Sequence, residues 1–159
     1  VYGIPSSVLR LTNTYGPRMR IKDARQTFLG IWIRNLLEGK PIHVFGDGRQ
    51  RRDYNYVDDV VDALLLAATR PEAEGKIFNL GAPEPLTLED TAKLMCELIE
   101  GANYEKIPFP EDRKAIDVGD FVCNYKAFQS AFGWEPKVDF RQGISKSVEY
   151  FRNDLSHYI

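Results

Sequence analysis

Arg49, Arg51 and Arg52 crowd the stretch directly behind the turn Gly46-Asp47-Gly48. A guanidinium is a planar, permanently charged fork of donors, so this density over a small area suits an oxyanion such as a phosphate or carboxylate. Isolated surface arginines need no such role, but a trio beside turn residues fits it better. Asn13 is a second polar landmark, placed behind the Val- and Leu-rich run from Ser7 to Thr12 and ahead of Tyr15-Gly16-Pro17. An amide at a strand end can donate to a bound anion, or it can simply form the turn. No residue stands out as a hydride or proton relay. Cys96 and Cys123 lack metal or redox spacing and read as buried or half-buried thiols without a disulfide. The chemistry on offer is anion binding, with no catalytic residue and no metal ligand expected.

The formal charge of −2 conceals an asymmetry: residues 10 to 52 hold ten Lys/Arg against three Asp/Glu, so this stretch is +7 and the remainder −9. A local anion site or a nucleic-acid patch would explain it. The arginines are not interleaved with aromatic residues in a nucleic-acid motif, and the acidic remainder would repel a polyanion, so no nucleic-acid partner is expected. At 159 residues, with 43% hydrophobic and 28% charged, the chain suits one soluble folded domain. No apolar run approaches the ~18 residues of a membrane span. The first residues also lack the basic, apolar and small-residue regions of a signal peptide, so no membrane contact and a cytoplasmic parent protein are expected. A start at Val1 fits a segment of something longer.

Positioning these groups requires a frame of alternating strands and helices. Ser7 to Thr12 reads as a buried strand ended by Gly16-Pro17. Residues 26 to 38 place Phe28, Ile31, Trp32, Asn35 and Leu36 at helical spacing, with Gly39 behind them. Ile42 to Phe45 is a short strand, Arg52 to Val57 (RDYNYV) a second, and Asp58 or Asp59 opens a helix to about Thr69. Lys76 to Leu80 is a strand ended by Gly81. Thr87-Leu88-Glu89-Asp90 resembles a capping box, with Asp where Glu or Gln is usual, before a helix that Gly101 terminates. Tyr104 to Phe109 is a strand, and a Pro- and charge-rich connector from Pro110 to Asp120 leads to a helix near Tyr125 to Phe132. Asp139 caps a last helix with Ile144, Val148 and Phe151 on one face. This is an α/β pattern with a sheet that looks incomplete.

Three segments in order, RLTNTYGPRM (10 to 19), VFGDGRQRRDYNYVDD (44 to 59) and KIFNLG (76 to 81), followed by FGWEP (132 to 136), resemble the C-terminal half of the extended short-chain dehydrogenase/reductase family. Its members are NAD-dependent nucleotide-sugar epimerases, dehydratases and decarboxylases, and the likeness runs from about residue 2 to residue 152. The resemblance implies a C-terminal substrate-binding region plus the last strands of a Rossmann-like NAD(P)-binding fold. Residues 1–16 and about 52–81 would partly complete a Rossmann domain whose N-terminal half is absent from the sequence. The three-glycine fingerprint and the Tyr-x-x-x-Lys pair are missing. NAD is therefore expected to be bound mainly by the missing half, none by this chain alone, and the chain alone is expected to be inactive.

Residue by residue, the resemblance assigns Asn13 and Arg52 to the diphosphate of a nucleotide-diphosphate sugar, Arg52 through the family's RDY strand. Arg49 and Arg51 fall at the rim or in solvent. Thr14 would pass the nicotinamide side of the pocket. Arg25 and Gln26, at the start of the first long helix, would meet the nucleotide, and free helix-terminal amides favour phosphate there. The main chain of His43, Val44 and Phe45 would read the edge of a uracil or thymine. Asn79 would donate to the same nucleotide, Arg113 would close over the diphosphate, and Asp112 would touch the ribose. Asn124, Lys126 and Ala127 stand where the family often has Asp, Ser and Lys. FGWEP reads as structural, with Trp134 as a core anchor. The implied partners are a nucleotide-diphosphate sugar, a UDP-sugar in the first instance, the missing Rossmann half, and a second copy of the parent in a homodimer. A folded non-catalytic remnant that associates with a separate Rossmann subunit is the alternative.

Overall fold

The computed structural model describes residues 2–23, 27–115 and 117–159. Strands β1 (Val8–Arg10) and β2 (Thr14–Tyr15) lead to helix α1 (Phe28–Leu37), and β3 (Ile42–Phe45), β4 (Arg51–Arg52) and β5 (Asn55–Tyr56) lead to α2 (Val57–Thr69). There follow β6 (Ile77–Asn79), β7 (Leu86–Thr87), α3 (Leu88–Cys96), β8 (Tyr104–Ile107), the single turn α4 (Glu111–Lys114), α5 (Lys126–Phe132) and α6 (Phe140–Asp154). The alternation gives an α/β fold.

Local chemistry sets the helix ends. The Leu29 amide donates to the Thr27 hydroxyl at 3.2 Å to cap α1, and the Gln142 amide donates to the Asp139 carboxylate at 2.8 Å to cap α6. Gly133 ends α5 at φ 67°, a left-handed conformation that favours glycine. The expected capping box of α3 closes differently. Thr87 accepts from the Asp90 amide at 3.0 Å, but its hydroxyl donates to the Asp90 carboxylate at 2.7 Å, a bond that the side chain one methylene shorter than Glu can make.

Among the described residues four two-stranded ladders result: β1–β6, β2–β5 and β3–β8 are parallel and β4–β7 is antiparallel. The main core lies where α1, α3 and α6 meet β3. Leu29, Trp32, Ile33 and Leu36 of α1, Met95 of α3 and Ile144, Val148 and Phe151 of α6 are buried there with Ile42 and Val44. Full burial of such a side chain contributes about 1.5–3 kcal/mol. Tyr15, Tyr54, Tyr56 and Phe140 extend this core, with Tyr54 and Phe140 ring centroids 4.6 Å apart. A second cluster joins Ala63 and Ala67 of α2 to Phe78, Leu80, Phe128 and Trp134. The Trp134 indole donates to the Asp59 carbonyl at 3.1 Å, so FGWEP is the core anchor expected.

Three elements differ from expectation. Strand β1 is not the buried strand read from Ser7 to Thr12: it spans Val8–Arg10 with Val8 and Arg10 exposed, because only Leu9 packs, against the cluster that holds Phe78. The RDYNYV stretch is two half-strands with different partners: β4 pairs with β7 and β5 with β2, and Val57 already opens α2. The break falls at Asp53 and Tyr54, whose side chains are buried. Helix α3 stops at Cys96, because the chain then tightens into three-residue turns, Leu98 N–H to Met95 C=O at 3.2 Å and Ile99 N–H to Cys96 C=O at 3.3 Å.

Candidate functional site

Arg52 has a half-buried backbone position and a side chain only 12% exposed. Its Nη1 donates to the Arg51 carbonyl at 2.9 Å and to the Gly119 carbonyl, while Nη2 lies 3.8 Å from Asp117 Oδ1. Among the described residues no hydrogen bond is made by Nε or Nη2. That edge of the fork remains able to grip paired oxyanion oxygens. Arg51 turns outward to Asp120 at 2.9 Å, and Arg49, 87% exposed, lies 3.7 Å from Asp47.

The residue after Arg52 organises its surroundings. Asp53 is fully buried, and its Oδ2 accepts from the Thr12 hydroxyl at 3.0 Å, the Ala82 amide at 3.2 Å and the Cys123 amide at 3.3 Å. One carboxylate thereby joins the end of β1, the segment behind β6 and the connector behind α4. Burial pushes the Asp53 carboxyl above its ordinary value, and these hydrogen bonds oppose the push. Asp53 Oδ1 and Asn55 Oδ1 are buried without a hydrogen-bond partner among the described residues. Gly81 makes this junction possible, since a Cβ there would stand 2.5 Å from the Cys123 carbonyl oxygen and 2.7 Å from Asp53 Oδ2.

Asn13 meets the same hub from the main-chain side. Its Nδ2 donates to the Asp53 carbonyl at 2.9 Å, which sets Asn13 beside the residue that follows Arg52. Thr14 is half-buried, and its hydroxyl donates to the Thr12 carbonyl at 3.0 Å. Asn79 is half-buried at the end of β6, in register with Arg10.

Strand β3 supplies a different surface. Ile42 N–H donates to Asn103 C=O at 3.0 Å and Gly46 N–H to Ile107 C=O at 2.9 Å, so the even-numbered residues, Val44 included, address β8. The main-chain groups of His43 and Phe45 point to the opposite edge, which has no ladder partner among the described residues. The His43 side chain is exposed, Val44 is core, and the Phe45 ring lies 5.5 Å from that of Phe109. Because β3 and β8 are parallel, Phe45 and the α4 residues Asp112 and Arg113 share one end of the pair. Both α4 residues are exposed, with Arg113 Nε 3.8 Å from Asp112 Oδ2, and no contact joins them to Arg52. Arg25 and Gln26 lie outside the described residues.

Sequence reasoning missed Asp53, Thr12, Gln50, Asp117 and Gly119. The one available signal was the acid content of the connector, Asp117 and Asp120, which mirrors Arg51 and Arg52. Among the described residues no group of His, Cys, Asp and Glu could hold a metal ion, and no helix is long and apolar enough to cross a membrane.

Parallel strands joined through helices, with polar anchors gathered at strand ends, define a Rossmann-like α/β protein. The model of the NAD dependent epimerase/dehydratase family matches residues 1–81, and the chain belongs to that family. It is 38% identical over 146 residues to UDP-glucuronic acid decarboxylase 2 of Arabidopsis thaliana, covering 91% of this chain and 31% of that protein. UDP-glucose 4-epimerase of Thermotoga maritima, solved with UDP-glucose, superposes with a TM-score of 0.86 at 35% identity, over 97% of this chain and 48% of that one. For dTDP-glucose 4,6-dehydratase of Bacillus anthracis, solved with NAD, the TM-score is 0.79 at 25% identity, over 98% and 47%. The chain spans less than half the length of each of these relatives.

Proposed function

We propose that this chain is the substrate-binding half of an NAD-dependent enzyme that epimerises, dehydrates or decarboxylates a nucleotide-diphosphate sugar, a UDP-sugar in the first instance. The observation that carries this reading is the Arg52 guanidinium, pinned through Nη1 with its Nε–Nη2 edge unbonded, beside a hub that also fixes Asn13. Arg52 and Asn13 grip the diphosphate, Asn79 and Arg113 complete the hold, and Asp112 reaches the ribose. The free edge of β3 at His43 and Phe45 receives the base, and Arg25 and Gln26, which lie outside the described residues, are assigned to the nucleotide. Holding the diphosphate far from the reacting carbon supplies binding energy and orientation where no bond changes.

NAD, when bound, supplies oxidation at the sugar C4 and the later return of the hydride. The residues present do not form its main site: the turn Gly46-Asp47-Gly48 leads into strand β4 and not into a helix N-terminus, and no Tyr-x-x-x-Lys pair occurs. A Rossmann half supplies both, leaving Thr14 at the nicotinamide side. Its place is indicated by exposed Val8 and Ile77 on the β1–β6 pair and by exposed Val61, Leu64 and Leu65 on α2. A two-stranded parallel ladder covered on its Leu9 and Phe78 face but open on the other is unusual, since parallel sheets are covered by helices on both faces. The same apolar surface favours a second reading, in which a non-catalytic remnant takes its Rossmann half from a separate subunit. We propose a cytoplasmic location and, for the whole enzyme, a homodimer.

The test is calorimetric titration of UDP into the full-length protein. Arg52→Ala is expected to weaken binding about ten- to a hundredfold, from the ~1.5–3 kcal/mol of a charge-assisted hydrogen bond. Unchanged affinity removes Arg52 from the site, and saturable NAD binding by the 159-residue chain alone overturns the division of labour.

A further inference from the structure

We propose that Asp117 is a positioning residue that aims the Arg52 guanidinium, an inference that rests on Arg52 gripping the diphosphate. The arm at residues 50–53 and the connector at residues 117–123 are joined one residue after another. Gln50 Nε2 donates to Asp117 Oδ2 at 3.0 Å, and the Arg51 amide donates to Asp120 Oδ1 at 2.8 Å. The Phe121 amide donates to the Arg51 carbonyl at 3.0 Å, and the Cys123 amide to Asp53 Oδ2 at 3.3 Å. Asp117 is thus a fixed point, its side chain 24% exposed, and not a carboxylate without partners.

Its relation to Arg52 is that of a support. A guanidinium 12% exposed needs a compensating charge when no ligand is present, and Asp117 Oδ1 provides it at 3.8 Å from Nη2. The spacing exceeds a hydrogen bond, and Oδ2 is already engaged by Gln50. A carboxylate competing with the ligand would close on the fork with short paired bonds. This one leaves the Nε–Nη2 edge unbonded, while Nη1 is tied to the carbonyls of Arg51 and Gly119. Asp117 therefore restrains the plane of the fork without occupying its working edge.

A double-mutant cycle with UDP as the probe, on the full-length protein, tests this. Asp117→Asn and Asp117→Ala are expected to weaken UDP binding about fivefold or more, and to change it less than ~2-fold when Arg52 is already Ala. Melting temperatures accompany each titration, and Asp117→Asn decides if Asp117→Ala does not fold. Unchanged or tighter binding in the Asp117 variants overturns the positioning role, as does an equal loss in both backgrounds, which marks a purely structural effect. Arg52→Ala binding UDP as tightly as the wild type removes the diphosphate reading itself; a normal Arg52 effect with a silent Asp117 removes the positioning role alone.

Discussion

The side-chain amide of Asn13 donates to the main-chain carbonyl of Asp53 at 2.9 Å, across forty positions of sequence. The bond ties the end of the first strand to the residue directly behind Arg52. Asp53 returns the link through its carboxylate, which accepts from Thr12, the residue ahead of Asn13, at 3.0 Å. Two reciprocal contacts of this kind fix Asp53 against the Thr12–Asn13 segment.

Replacing Asn13 should separate its two duties. Asn13→Ala loses one hydrogen bond, which costs about 1 kcal/mol of stability, and removes a donor from the diphosphate, weakening UDP by about five- to tenfold. Asn13→Asp puts a carboxylate against both the Asp53 carbonyl and the ligand phosphates, so it should bind UDP more weakly than Ala. Titrations that rank Asp equal to or above Ala would place Asn13 away from the diphosphate.

Asp53 is expected to matter more for the fold. Asp53→Ala leaves the Ala82 and Cys123 amides without their acceptor, while the Thr12 hydroxyl keeps the Leu80 carbonyl at 3.3 Å. A loss of about 3 kcal/mol follows from the cost of unsatisfied buried groups. Asp53→Asn keeps one acceptor oxygen and should lose less. The pH dependence has a definite sign. A carboxyl whose folded value is raised contributes stability fully present below its unfolded value, and this is lost as pH rises through the folded value. Asn does not titrate, so urea denaturation should show the Asn variant gaining on the wild type as pH rises above the ordinary carboxylate range. A gap that widens as pH rises would mean that the buried carboxylate is favoured in its charged form.

How much of this was legible depends on whether the cause is local. Caps at Asp139 and Thr87 and the left-handed Gly133 follow from residues a few positions away, and the structure has them. Arg52 was visible as a residue type beside a glycine turn. Its supports were not, because Gly119 contributes a carbonyl and Ala82 and Cys123 contribute amides, groups that every residue carries. Asp117 finds Gln50 and Arg52 only after β4 pairs with β7 and the connector lies along it. The RDYNYV stretch misled for a related reason: its alternation fits one strand or two half-strands, and only the partners β2 and β7 decide.

Glu89 offers a test of the fold that is independent of the ligand. At the start of α3 its carboxylate accepts from Lys106 Nζ at 2.6 Å and from the Tyr104 hydroxyl at 3.0 Å, with Lys93 Nζ at 3.3 Å. Lys106 first, then Tyr104 and Lys93, hold its pKa at about 2, below the ordinary 4.5. A depressed carboxyl contributes stability that is present above the unfolded value and is lost as pH falls through the folded one. Glu89→Gln should therefore lower the urea midpoint by a constant amount above about pH 5. The difference from the wild type should shrink below pH 4.5 and vanish near pH 2. The network is open to solvent, so added salt should also reduce the difference at pH 7. A difference that persists unchanged from pH 7 to pH 2 would show that Glu89 links α3 to β8 by shape and not by charge.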